Sequence, residues 1–170
     1  TCQNRVKIIS NGSIVWRAQL GNDLRPIYQT DPSTEEEIYV DDELIPYSYN
    51  RMKPLSDSAS EGRANPKGIP YLYVASDKET AMSEVRPWLD SILSVGTFRI
   101  TKDIKILDFS VEHGNKSKFF FFKEPSEQEK IQTVWCDIDN AFSKPTTNSD
   151  SGSEYVPTQI ISEFVKLNGF

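Results

Sequence analysis

Histidine is almost missing from these 170 residues, with His113 alone, and cysteine is scarce, with Cys2 and Cys136 far apart. A charge-relay or Cys–His mechanism would have to rest on His113, and the neighbouring Gly114 and Asn115 make it read as a solvated turn residue. Two isolated cysteines with no CxxC or Cys/His cluster indicate neither a zinc site nor a disulfide framework, so no metal is expected and a reducing, cytoplasmic site of action fits. Long apolar runs are lacking as well. The aromatic block Phe119–Phe122 is far short of the roughly 18 to 20 residues that span a bilayer, and no membrane role is expected. There is no basic excess: 19 Lys and Arg stand against 25 Asp and Glu, a net charge of −6, which argues against direct nucleic-acid binding through a general basic face. No Walker-type or GxGxxG phosphate loop occurs, and no internal repeat.

What is present suits one soluble globular domain. With 37% of residues hydrophobic and 26% charged, the chain can build a core and lies away from disordered composition. The acidity is uneven. Residues 31–45 hold seven acidic and no basic side chains, so the rest of the chain is close to neutral and an anionic small substrate is not excluded. That acidic segment reads as a solvated face, with an interaction surface as the alternative. The sequence opens at Thr1 rather than Met, so a portion of a longer product is expected.

Along the chain, Val6–Ile9 and Ile14–Trp16 read as strands around the Asn11-Gly12 turn. From Leu20 to Gly68 a long loop without period is expected. Ile69–Ala75 (IPYLYVA) has the look of a buried strand, followed by a helix with a Ser76–Glu79 capping box and Ala81, Val85, Trp88 and Leu89 on one face until Pro87 ends or kinks it. Val95–Ile100 and Ile104–Phe109 read as strands, 117–142 as one or two helices, Ser143–Ser153 as a polar loop, and Pro157 onward as a last helix closed by Asn168-Gly169. Strands and helices without regular alternation predict an α+β fold.

Residues 62–86 (GRANPKGIPYLYVASDKETAMSEVR) combine a Gly/Pro loop, the expected strand and the capped helix, and carry Arg63, Tyr73 and Glu84. Helical projection puts Glu84 at the edge of the buried face. By residue type alone, Arg63 would be a surface loop arginine, Tyr73 a core aromatic and Glu84 a partly exposed helix residue.

The string GRxNPxGIPxLYxASDxETAxxEVRP, with VWRA at Val15–Ala18, RMKP at Arg51–Pro54 and YVPTQ at Tyr155–Gln159, resembles the RES domain family across Trp16 to Phe170. The family takes its name from an arginine, a glutamate and a serine, and its members are NAD-consuming toxins usually paired with Xre-type antitoxins. The resemblance implies an ADP-ribosyltransferase-like fold, a split and mostly antiparallel sheet with flanking helices, in one RES-like domain. It places the family's arginine at Arg63, its glutamate at Glu84 and its strand tyrosine at Tyr73. The family's serine lies beyond Gly169-Phe170, so a truncated C-terminus or a lost site member is expected.

Those residues suit the implied chemistry. Cleaving the nicotinamide–ribose bond builds positive charge on the ribose, which a fixed carboxylate at Glu84 would stabilise. A planar guanidinium at Arg63 can take a phosphate bidentately, and Tyr73 can stack on nicotinamide. Asn65, Lys67, Arg17 and Arg51 are further candidates for substrate binding. The resemblance implies an NAD+ phosphorylase or NAD+ glycohydrolase, with NAD+ as substrate, inorganic phosphate as co-substrate, no separate cofactor and an Xre-type antitoxin or other inhibitory protein as partner. Mono-ADP-ribosylation of a macromolecule and a catalytically silent interaction module are the alternatives.

Overall fold

The computed structural model describes residues 2–114, 124–144 and 154–170. Among these residues the fold is α+β with antiparallel strand pairing throughout, as expected. The backbone sorts into two compact units, each woven from separated stretches of chain.

The first unit comprises Thr1–Ser10, Ser56–Tyr71 and Lys102–Phe170. Strand β1 (Val6–Ile9) pairs with β6 (Ile104–Leu107), and among the described residues the unit also holds the helices α3 (Glu127–Ser143) and α4 (Val156–Leu167). The start of α3 is set by a reciprocal capping box: Ser126 Oγ accepts from the Glu129 amide while the Glu129 carboxylate accepts from the Ser126 amide at 2.8 Å. Phe109 packs against Trp135 and Phe142, and the Arg5 guanidinium lies over the Trp135 ring at 4.4 Å. His113 is exposed in its turn as expected, yet its Nδ1 meets the buried Asp139 carboxylate at 3.0 Å. Helix α4 has Pro157 in its first turn and ends at Asn168 before Gly169 at φ 87°, as the sequence indicates. The Phe119–Phe122 block and most of the polar loop after Ser143 lie outside the described residues.

One ion pair closes β1 on β6. Asp108 meets Lys7 Nζ at 2.5 Å and accepts from the Ser110 hydroxyl and amide at 2.7 and 2.9 Å. Lys7 and then Ser110 hold the Asp108 carboxyl down at about 2. A carboxyl lowered by folding adds stability above its ordinary pKa of 3.8 and loses it as pH falls toward 2. Asp108→Asn should therefore cost about 1 kcal/mol at pH 7, since the exposed lysine screens the pair, and nothing near pH 2. Urea unfolding at the two pH values measures it; an equal loss at both would assign the cost to packing instead.

The second unit comprises Asn11–Leu55 and Leu72–Thr101. Strand β2 (Ile14–Leu20) pairs with β5 (Leu93–Arg99), Arg17 facing Gly96. The two strands flanking Asn11-Gly12 form as expected but do not pair with each other: their partners are the distant β6 and β5. The long loop expected from Leu20 to Gly68 is overturned in part, because β3 (Asp23–Thr30) and β4 (Glu37–Ile45) form an antiparallel ladder of their own. Their residues are almost all exposed, and acidic side chains interrupt the apolar alternation. Short helix α1 (Tyr49–Met52) follows, then α2 (Lys78–Glu84), which packs on β2 and β5 through the buried Ala81.

Three further expectations are corrected. Ile69–Ala75 is not a buried strand. Its Leu72, Tyr73 and Val74 are exposed, and only Ala75 bridges to Trp16, by two 2.8 Å backbone bonds, because the run divides between the units after Tyr71. The α2 cap is Asp77, whose Oδ1 accepts from the Thr80 amide at 2.8 Å, rather than Ser76. The helix stops at Glu84 because Arg86 takes φ 46° ahead of Pro87, which disfavours helical backbone before it. Trp88 and Leu89, expected on the apolar face, are 84% and 94% exposed.

Candidate active site

The residues singled out from sequence fall in both units. Arg63, Asn65 and Lys67 belong to the first, Arg17, Arg51, Tyr73 and Glu84 to the second.

In the first unit the loop carrying Arg63 is held from several sides. Asn65, 2% exposed, donates through its side-chain amide to the carbonyls of Ser60, Pro66 and Ile69 at 2.8–3.2 Å, so it shapes the loop. Gln159 on α4 donates to the carbonyls of Gly62 and Asn65 at 2.9 and 3.1 Å. The far end of the loop is tied to the same helix by the Tyr71 hydroxyl, which donates to Glu163 at 2.7 Å. Tyr71 holds the Glu163 carboxyl below its ordinary value, while Glu163 pushes the Tyr71 phenol up. Arg63 is half-buried, and its Nη1 donates to the carbonyls of Ala141 and Phe142 in the last turn of α3. Those carbonyls have no partner within the helix, and a cation at a helix C-terminus also suits its dipole. Lys67 is exposed. The part played by Gln159 was missed from sequence, although it stands in the YVPTQ motif.

In the second unit two arginines face the same region. Arg17 and Gln19 share a face of β2, and Gln19 Oε1 accepts from Arg51 Nη1 at 3.2 Å. The Arg51 guanidinium lies 4.9 Å from the centre of the Tyr47 ring. Gly96 makes room for this arrangement: a Cβ there would come 3.2 Å from the buried Met52 Cε, and Met52 is the neighbour of Arg51 on α1. Arg17 is half-buried and its Nη1, fully shielded from solvent, has no hydrogen-bond partner. Burial, and then the charge of Arg51, pull its pKa down. Among the described residues neither guanidinium meets a carboxylate, so the pair is a positive site without its counter-charge.

Glu84 is the last residue of α2 and is exposed. A carboxylate there faces the negative end of the helix dipole, and the last turn holds no basic side chain to offset it. Helix stability does not explain its placement. Tyr73 is about half exposed, two residues before the Trp16–Ala75 bridge that brings its chain to β2. Among the described residues no group of three or more His, Cys, Asp or Glu could hold a metal, and no helix is long and apolar enough to cross a membrane.

The structure defines an α+β protein with two neighbouring arginines and an exposed carboxylate at the end of α2. The RES domain model matches residues 43–170, and the chain belongs to that family. RES domains are known for NAD+-related toxin function and are generally paired with an antitoxin. No curated protein and no solved structure gives a significant match.

Proposed function

We propose that this protein degrades NAD+ by cleaving the bond between nicotinamide and ribose, passing ADP-ribose to inorganic phosphate, with water as the slower acceptor, and that it acts as a toxin. The observation that carries the reading is the Arg17–Arg51 pair. A shielded, unpartnered guanidinium nitrogen beside a second like charge costs free energy in the free protein, and an anion such as the pyrophosphate of a dinucleotide would offset it.

In this reading the electron pair of the breaking C–N bond leaves with nicotinamide and neutralises its ring. The anomeric carbon becomes electron-poor, Glu84 stabilises it through the ribose, and a phosphate oxygen forms the new bond. Tyr73 offers an exposed ring for the nicotinamide face. Arg63 holds α3 through Nη1, which leaves the Nε and Nη2 edge for a phosphate, while Lys67 adds charge and Asn65 fixes the loop. An inhibitory protein of the antitoxin kind would restrain the activity in the cell that makes it.

The test is incubation with NAD+ with and without inorganic phosphate, followed by phosphorus NMR. Nicotinamide and ADP-ribose phosphorylated on its anomeric carbon, formed only with phosphate, is the expected result. Free ADP-ribose in both would make water the acceptor. Intact NAD+ in both would overturn the reading and leave macromolecular ADP-ribosylation or a silent module.

A further inference from the structure

The β3–β4 ladder has no role in the chemistry above. It lies largely outside the stretch that matches the family, which begins at residue 43. Cross-strand partners share a face, so Leu24 with Leu44 and Tyr28 with Tyr39 lie on one face, separated by the Pro26–Asp42 pair and a register shift after Ile27, with the Tyr28 and Tyr39 rings edge-to-face at 6.2 Å. All four are more than half exposed. A two-stranded ladder with an uncovered apolar face is marginal by itself in water. The arm's base is nevertheless held firmly. Ser94, 1% exposed on β5, donates to the Gly21 carbonyl at 2.8 Å and accepts from the Tyr47 amide at 2.9 Å, one before and one after the arm. The Ser48 amide adds a bond to Asp23 at 3.2 Å. The arm is thus presented, not merely left over.

Charge selects what would cover it. Between Asp23 and Ile45 the only basic side chain is Arg25, already bound to Glu43, against Asp23, Asp31, Glu35, Glu36, Glu37, Asp41, Asp42 and Glu43. A second copy would bring two such sets together, and nucleic acid or an anionic bilayer would be repelled. The edges differ too. Strand β3 carries Pro26, whereas the outer edge of the nine-residue β4 has no proline to block pairing.

We infer that β4 is a docking edge for a basic protein partner, which adds a strand whose apolar side chains cover Tyr39 and Leu44 and whose Lys or Arg residues meet Asp41 on the opposite face. This is strand addition with charge complementarity. The inference stands independently of NAD+ chemistry.

The probe is a labelled nine-residue peptide of alternating lysine and valine, read by fluorescence anisotropy against the whole chain, beside a peptide of the same composition with its lysines and valines in two blocks. The alternating peptide should bind the more tightly and weaken at least tenfold between about 50 and 500 mM salt. The pair Tyr39→Ser, Leu44→Ser should weaken it about tenfold and the single change Asp41→Asn about threefold, each with an unchanged circular dichroism spectrum. Equal binding of the blocked peptide, no binding, or a dimer by light scattering that the Tyr39→Ser, Leu44→Ser pair abolishes would each overturn the inference, the last in favour of a second copy.

Discussion

Glu84→Gln should lower the rate of nicotinamide release by about a hundredfold to a thousandfold, the range seen when one fixed group that stabilises a charged transition state is removed. The amide keeps the shape of the carboxylate and loses its charge, so KM for NAD+ should move little while kcat falls. The position of Glu84 sharpens the test. At the C-terminal end of α2, exposed and with no basic side chain in that turn, the carboxylate is unfavourable for the helix. The glutamine variant should be as stable as the parent, or slightly more so. A variant that keeps its turnover rules out the role assigned here, and a marked drop in melting temperature would instead assign Glu84 to the fold.

The second large effect is expected at Arg17. Replacing it with Gln removes a shielded guanidinium nitrogen that has no partner and a charge that faces Arg51. Stability should hold or rise, because the group removed is one the free protein accommodates at a cost. Binding should suffer in the opposite direction. A hydrogen bond to a charged group is worth about 1.5 to 3 kcal/mol, so KM for NAD+ should rise about tenfold to a hundredfold. Inorganic pyrophosphate should raise the melting temperature of the parent and not of the variant, which separates anion binding from catalysis. Arg51→Gln should show the same trend more weakly, since Arg51 already shares its charge with Gln19 and the Tyr47 ring. Loss of stability with unchanged KM would mean that Arg17 is a packing residue.

Several elements were legible without coordinates because their signals are local. The last helix needed only the apolar spacing of Ile160, Ile161, Phe164, Val165 and Leu167, a proline in its first turn and a glycine after its end. Strands β5 and β6 were marked by β-branched and aromatic runs. The arm was not, because both its faces meet solvent and its acidic residues break the alternation that marks a half-buried strand. The capping residue of α2 was misread by one position. Ser76-x-x-Glu79 and Asp77-x-x-Thr80 are adjacent, overlapping patterns, and backbone direction at Asp77 selects between them. A true capping box stood at Ser126-x-x-Glu129, in a stretch where only helical content was anticipated.

By itself the sequence determined the family, the α+β class, the two helices that flank the motifs and the identity of Arg63, Tyr73 and Glu84 as the residues to question, because motif order and short-range periodicity are properties of the chain. Tertiary structure alone decided the rest. It paired β1 with β6 and β2 with β5 across most of the chain, set Gln159 against the Arg63 loop, and brought Arg17 beside Arg51. Contacts between residues so far apart in sequence depend on which buried surfaces fit together, and no local pattern records that.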